Sequence, residues 1–547
     1  MRLIERRIGL LFAVFLLLLV AATARAGWLG TVRADELRSR ALTQQEEELV
    51  VPARRGTITD RHGLELAVSE DAVTVFANPF LVEDPVTTAR KLAPLLGEPE
   101  SEVLELISDD ERGFVYLRRK LDADRGEKVE ELELPGIGTV VEPKRRYPQD
   151  HLAAQLLGTV GTDNVGLSGV EVSREEQLHG TDGRRRLVKD ALGKPISIVE
   201  LERSEAGEDL RLTIDAAIQE RTEAVLADVG EVYRPKGATA LVLDPRNGEV
   251  LALANWPRVD ANDWAGAPDY ARQNRAVMSS YEPGSTFKAF TVASALEAGL
   301  VDPSTPFDLP PQIEVADRTI GEAHARGPVT LAVRDILAQS SNVGAVKIAQ
   351  RSGAERFDHW VRRFGFGTAT GLDLPGEADG IVLEPAEYTG PTLGNMAIGQ
   401  GLAVTPIQMA AGYSAIANDG VLQPPHVIAG AAREPRRVIS PTTARQIATM
   451  LEGVLGPGGT APEAAVEGYE LAGKTGTAEK PGEDGGYAEG KYVASFIGFA
   501  PADDPQLLVA VMVDEPSLGV YSGAEVAAPA FEKIVSFALP YLRIPPG

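Results

Sequence analysis

Residues 238–255, ATALVLDPRNGEVLALAN, decide how this chain folds. Two apolar runs, 238–243 and 249–255, flank Asp244-Pro245-Arg246-Asn247-Gly248. A turn sequence between two such runs reads as a β-hairpin. Just upstream, Asp215 caps a helical pattern reaching about Val229. Downstream, helical patterns at 285–298, 333–351 and 406–418 separate the hairpin from strand-like runs at 470–474, 492–500 and 506–514, and 525–539 reads as a closing helix. Strands at both ends with helices between them predict an α+β domain around one mostly antiparallel sheet. Its start falls in the polar run SEAGED, 204–209, which sets the expected domain at 206–547.

Ahead of that boundary, 31–205 reads as a separate pedestal of mixed type, with short β patterns and helical patterns at 86–96 and 102–107. Residues 34–50 are polar and helix-prone and suit a stalk, and the RGTITDRHGL that follows is extended with one turn. Basic clusters at 118–120, 144–146 and 184–186 read as solvated or ion-paired faces. The first thirty residues form a unit of their own. Arg2, Arg6 and Arg7 precede an apolar run at 8–24, which as a helix spans roughly 26 Å, close to the thickness of a bilayer's hydrocarbon core. The arginines place the cytoplasm on their side and the rest of the chain outside, with Trp28 as an interfacial anchor. A cleavable signal peptide is the competing reading, because Ala22-Thr23-Ala24 and Ala24-Arg25-Ala26 resemble cleavage sites. The length of the run favours a retained single-pass anchor.

Composition removes several classes of function. The 547 residues carry a formal charge of −25, which argues against a nucleic-acid binder. Cysteine is absent, so there is no thiol nucleophile, thiolate metal site or disulfide. The six histidines show no metal-ligand spacing. Neither a metal nor a cofactor is expected.

Three short segments can carry chemistry. In YEPGSTFK, 281–288, Pro283 and Gly284 break the chain before a helix, and Ser285 and Lys288 share one helix face. A serine hydroxyl becomes a nucleophile beside a base, and a neutral lysine amine can be that base. Taken alone this pair is a common chance pattern, and Ser285 reads first as a helix cap. Ser340-Ser341-Asn342 sits at a break in an apolar helical pattern, either as a polar cap or as a proton relay and amide clamp. Lys474-Thr475-Gly476 can line a cleft with a cation, a hydroxyl and a position open to close backbone approach. The same region, GYELAGKT at 468–475, fits a phosphate-loop pattern literally. A polar lead-in and the glycines and proline that follow deny it the strand–loop–helix setting such a loop needs.

Ser285-x-x-Lys288, Ser340-x-Asn342 and Lys474-Thr475-Gly476, in that order, resemble the three motifs of penicillin-binding proteins and serine β-lactamases. The flanks YEPGSTFK, GQGLAVTPIQMAAGYSAIANDG (399–420), GKTGTAEK and YVASFIGFAP (492–501), with the early RGTITDRHG, are similar to class B penicillin-binding proteins. That resemblance covers nearly the whole chain. It implies a transpeptidase domain of the penicillin-binding/serine β-lactamase type on an elongated pedestal, anchored by one transmembrane helix. It also implies a peptidoglycan D,D-transpeptidase in the cell membrane that β-lactams acylate. Ser285 would attack the D-Ala-D-Ala carbonyl of a stem peptide and Lys288 would take its proton. Ser340 with Lys474 would protonate the leaving D-alanine, while Asn342 would hold the donor amide. Lys474 and Thr475 would meet the terminal carboxylate, and the backbone N–H groups of Ser285 and Thr477 would hold the oxyanion. The implied partner is a membrane glycosyltransferase of the shape, elongation, division and sporulation (SEDS) family, docked through the anchor and residues 35–205.

Two alternatives remain from the residues. One is a D-alanyl-D-alanine carboxypeptidase or a β-lactamase on the same fold; a class A β-lactamase carries Ser-Asp-Asn where this chain has Ser340-Ser341-Asn342 and uses an added glutamate to activate water, for which Glu384 and Glu387 are loose candidates. A non-catalytic β-lactam sensor or scaffold would show an effector domain or a lost motif residue, and neither is evident.

Overall fold

The computed structural model describes residues 2–33, 46–109, 112–189, 195–482 and 486–546. Its described residues fall into two compact units that interleave along the chain. One comprises Met1–Arg55, Asp71–Pro143 and His179–Gly207, the other Gly56–Glu70, Lys144–Leu178 and Glu208–Gly547. The last crossing, at Gly207, lies next to the boundary expected at 205/206, but 56–70 and 144–178 cluster with the C-terminal unit.

In the first unit the apolar segment is a single helix, Arg2–Thr31, long and apolar enough to cross a membrane. Residues 34–45 of the expected stalk lie outside the described residues. The end of that segment is not helical but a strand, Glu46–Val51, because Gly183–Lys189 pairs with it antiparallel and Pro195–Glu202 extends the sheet. Arg184 donates to Glu202 and Arg186 lies 3.7 Å from Glu48, so this basic cluster is an ion-paired strand face. A second core gathers Val75, Leu92, Leu96, Val103 and Leu117 from two strands and the helices Pro85–Leu96 and Glu100–Ile107. Asp84 caps the first of these helices and Gly97, at φ 72°, ends it.

The larger unit is built on a five-stranded antiparallel sheet, ordered Val250–Trp256, Gly237–Leu243, Leu507–Asp514, Tyr487–Ala500 and Ala472–Pro481. Every residue of Gly237–Leu243 is buried, as a strand covered on both faces requires. The helices Ala216–Tyr233 and Ala528–Tyr541 pack on each other and on the sheet. Pro406–Ala417, buried throughout, also packs on the sheet and against Pro441–Glu452, which in turn contacts Lys288–Glu297. Thr405 and Gln408 close a reciprocal capping box at its start.

The RGTITDRHG segment, apart from Arg55, belongs to this larger unit. Ile58–Thr59 pairs in parallel with Leu210–Arg211, and the Asp60 carboxylate accepts the N–H groups of His62, Leu64 and Ala216. The cluster at 144–146 contains an ion pair, as expected, but a buried one. The Arg145 side chain is 3% exposed and donates to the fully buried Glu171 at 2.6 Å and to the Gly56 carbonyl at 2.8 Å.

Three expected helices are interrupted. The 285–298 pattern is a 3-10 turn, Gly284–Phe287, followed by an α-helix, Lys288–Glu297. The 333–351 pattern is two helices, Val333–Ala338 and Asn342–Ser352, because Ser340 takes a left-handed conformation (φ 59°) and Ser341 caps the second. The closing helix is split at Ala527, with Pro529 near the start of its long part.

Candidate active site

Three elements of the larger unit meet at a cleft of about 820 Å3 lined by Ser285, Ser340, Asn342, Thr475 and Thr477 among others. The 3-10 turn brings Ser285 and Lys288 onto one edge, since residues three apart eclipse in that geometry. Behind the turn, Phe287, Phe290, Phe364, Phe366 and Tyr413 form an aromatic cluster with centroids 4.8–5.3 Å apart. The Tyr413 hydroxyl donates to the Thr286 carbonyl at 2.7 Å, tying the turn to Pro406–Ala417.

Lys288 is 1% exposed. Its Nζ donates to the Ser340 carbonyl (2.7 Å) and to Asn342 Oδ1 (2.6 Å), and lies 3.3 Å from Ser340 Oγ. Burial pushes its pKa from the usual 10.5 down to about 7, against the opposing pull of the Glu322 carboxylate. Near neutral pH this amine is therefore a usable base.

Lys474, Thr475 and Gly476 lie on Ala472–Pro481, the edge strand of the sheet. Lys474 is fully buried, with Nζ only 3.3–3.4 Å from Thr475 O and Oγ1. Burial first, and the Lys288 charge second, push it well below the ordinary lysine value. At Gly476, where the sequence suggests room for close approach of substrate, the space a Cβ would need is filled from within. It would lie 2.4 Å from Ser495 Oγ, 2.9 Å from Thr286 Cγ2 and 3.0 Å from the Pro283 carbonyl. That glycine lets the edge strand close onto the Ser285 turn. Thr477 Oγ1 accepts the Gly523 N–H, which fixes the strand beside the turn.

All eight residues singled out from the motifs thus lie in this unit: Ser285, Ser340, Asn342, Thr475 and Thr477 line the cleft, Lys288 and Lys474 are buried, and Gly476 packs against the Ser285 turn. Several residues of the site carried no sequence signal. Glu322 and Arg326 bond to the Ser341-Asn342 turn from a segment about twenty residues upstream. Thr460 Oγ1 lies 2.8 Å from Thr475 Oγ1. Glu282, whose pKa burial raises, accepts the Gly401 N–H and the Tyr487 hydroxyl. Glu384 pairs with Arg362 and Glu387 folds back on its own turn, and neither is among the residues lining the cleft. Away from the cleft, His151, Glu220 and Glu223 bring ligand atoms within 4.8 Å of one another. Arg258 lies 3.1 and 3.5 Å from the two carboxylates and offsets their charge.

A buried lysine whose pKa burial lowers toward neutrality, one turn from a cleft serine and facing a lysine on the edge strand, has the arrangement of a serine-type acyltransferase. Comparison with known proteins narrows the class. Residues 238–536 match the penicillin binding protein transpeptidase domain, and residues 50–212 match the penicillin-binding protein dimerisation domain. The chain is 34% identical to the probable peptidoglycan D,D-transpeptidase PenA of Neisseria meningitidis, over 99% of this chain and 93% of PenA. It is 33% identical to the peptidoglycan D,D-transpeptidase FtsI of Escherichia coli, with the same two coverages. The crystal structure of penicillin binding protein 3 from Mycobacterium tuberculosis, complexed with aztreonam, superposes with a TM-score of 0.72 at 29% identity, over 91% of this chain and 98% of that one. The chain belongs to the class B penicillin-binding proteins.

Proposed function

We propose that this protein is a peptidoglycan D,D-transpeptidase working through an acyl-enzyme on Ser285. The observation that carries the reading is Lys288, buried beside the cleft serine and held by Ser340 and Asn342, with burial pushing its pKa down to about 7. Lys288 takes the hydroxyl proton as Ser285 Oγ bonds to the carbonyl carbon of the penultimate D-alanine of a stem peptide. The C–N bond to the terminal D-alanine then breaks, and Ser340, with Lys474, delivers a proton to the departing amine. An amine of a neighbouring stem attacks the ester, the cross-link forms, and Ser285 recovers its proton. Asn342 holds the donor amide, and Lys474 with Thr475 receives the terminal carboxylate. The N–H groups of Ser285 and Thr477 take the oxyanion, where losing one donor costs about 3 kcal/mol of transition-state stabilisation. β-Lactams acylate the same serine.

With Arg2–Thr31 spanning the membrane and the arginines on the cytoplasmic side, the catalytic unit faces the outside. In functional terms the chain divides into an anchor (1–30), a pedestal (31–205) and a transpeptidase (206–547), with 56–70 and 144–178 lent to the last. The anchor and pedestal dock onto a SEDS-family glycosyltransferase that supplies nascent glycan. Exchanging residues 1–33 for an unrelated anchor, rather than deleting 1–205, tests this while keeping the stretches that belong to the catalytic unit. Unchanged co-purification with the glycosyltransferase would refute docking through the anchor. For the reaction itself, purified chain with lipid-linked stem peptides should release D-alanine in step with cross-linked product. D-alanine release without cross-links would instead mark a carboxypeptidase.

A further inference from the structure

Ser340 and Asn342 contact Lys288, but the residue between them faces the other way. Ser341 is buried, and its hydroxyl uses its full bonding capacity. It donates to Glu322 Oε1 at 2.7 Å and accepts from Arg326 Nη2 at 2.9 Å and from the Gly344 N–H at 3.0 Å. The other oxygen of Glu322 accepts the Asn342 backbone N–H at 2.7 Å, and Arg326 also donates to the Glu322 carboxylate. The neighbouring Gly321 carbonyl accepts from Asn342 Nδ2 at 2.8 Å, which fixes the amide so that Oδ1 faces Lys288. The Glu322 side chain is 6% exposed.

This is more than a helix cap requires. Ser341 alone already satisfies the Gly344 N–H. The extra carboxylate grips the Ser341 hydroxyl and the Asn342 N–H, the two groups that directly follow the left-handed Ser340, a conformation that costs free energy and persists only when its surroundings enforce it. We propose that Glu322, braced by Arg326, is a positioning residue for acylation, setting the turn that presents Ser340 and Asn342 to Lys288. The proposal deepens the reading of Ser285 and Lys288 given above and rests on it.

Electrostatics supply a readout that a purely structural role would not. Lys288 is faced by Lys474 from the edge strand and by Glu322 from the segment after Arg318–Gly321, while Arg326 faces Glu322. On its own helix the acidic group is Glu297, nine residues on and about 13 Å along the axis. Glu322 is thus the carboxylate that keeps Lys288 from titrating lower still.

The test uses the full chain in detergent, with a fluorescent penicillin as probe and acylation rates followed from pH 5.5 to 8.5. Glu322→Gln presents an amide where the Asn342 N–H needs an acceptor. It should lower the plateau rate about ten- to hundredfold, as small misplacements of reacting groups do. Because a negative charge is gone, the acidic limb should also move to lower pH. Glu322→Asp keeps the charge but is too short to reach both partners, so it should lower the plateau and leave the limb in place. If E322Q does not fold, the aspartate variant alone decides by its plateau. A plateau within twofold of wild type, or an unmoved limb in folded E322Q, overturns the proposal. Failure of the wild-type chain to acylate at Ser285 would instead overturn the reading beneath it.

Discussion

The pH dependence of acylation follows from one buried amine. With a pKa of about 7, Lys288 is neutral in about 9% of molecules at pH 6, about half at pH 7 and about 91% at pH 8. A solvated lysine would be neutral in about 0.03% at pH 7, so burial raises the supply of base more than a thousandfold, a differential of about 5 kcal/mol. The second-order rate of acylation by a fluorescent penicillin, read by rapid quench on the full chain in detergent, should therefore rise about tenfold from pH 6 to pH 8 and level off. The same depression acts on stability with a definite sign. Between pH 7 and 10.5 the unfolded lysine is protonated and the folded one neutral, so this group's contribution to stability improves as pH rises through that window and is at its worst below pH 7. A rate that is flat across pH 6–8, or one that keeps climbing toward pH 10, would refute Lys288 as the base.

Replacing Lys288 by Met should lower acylation by about 10³-fold or more while leaving the melting temperature at pH 6 unchanged or higher, since no charge then needs burying; a large fall in melting temperature would contradict this. Arg145→Met should destabilise the larger unit by about 3–5 kcal/mol, seen in thermal melts, because Glu171 stays fully buried without its cation. Adding Glu171→Leu should recover most of that loss, and no recovery would count against a pair-specific cost. Tyr413→Phe removes the donor to the buried Thr286 carbonyl, so a loss of about 1–2 kcal/mol and slower acylation are expected. An unchanged rate would mean the nucleophile's turn does not depend on that tie.

How much of this was legible in the sequence follows the range of the forces involved. The hairpin at 238–255 and the strands expected at 492–500 and 506–514 appear within about one to five residues of their expected limits, because their alternation of turn residues and apolar runs is local, whereas the strand expected at 470–474 runs on to Pro481. The interruption at Ser340 was visible only as a polar break in an apolar pattern. What holds it open is Glu322, whose grip depends on tertiary folding rather than spacing. Gly476 shows the same limit. Its glycine was plain, but whether it makes room for substrate or for the Ser285 turn depends on what packs against the edge strand. The strand Glu46–Val51 looks helical in the sequence because its pairing partner, Gly183–Lys189, lies more than 130 residues away. Arg145 looked like any member of a basic run until folding paired it with a buried glutamate.

The measurement that bears most directly on the central claim is the intact mass of the full chain after exposure to benzylpenicillin, followed by a chase without drug. Ser285→Ala serves as the control. The account predicts one adduct that persists through the chase, maps to the peptide containing Ser285 and is absent from the variant. An adduct on another residue, or one that survives in Ser285→Ala, would contradict it.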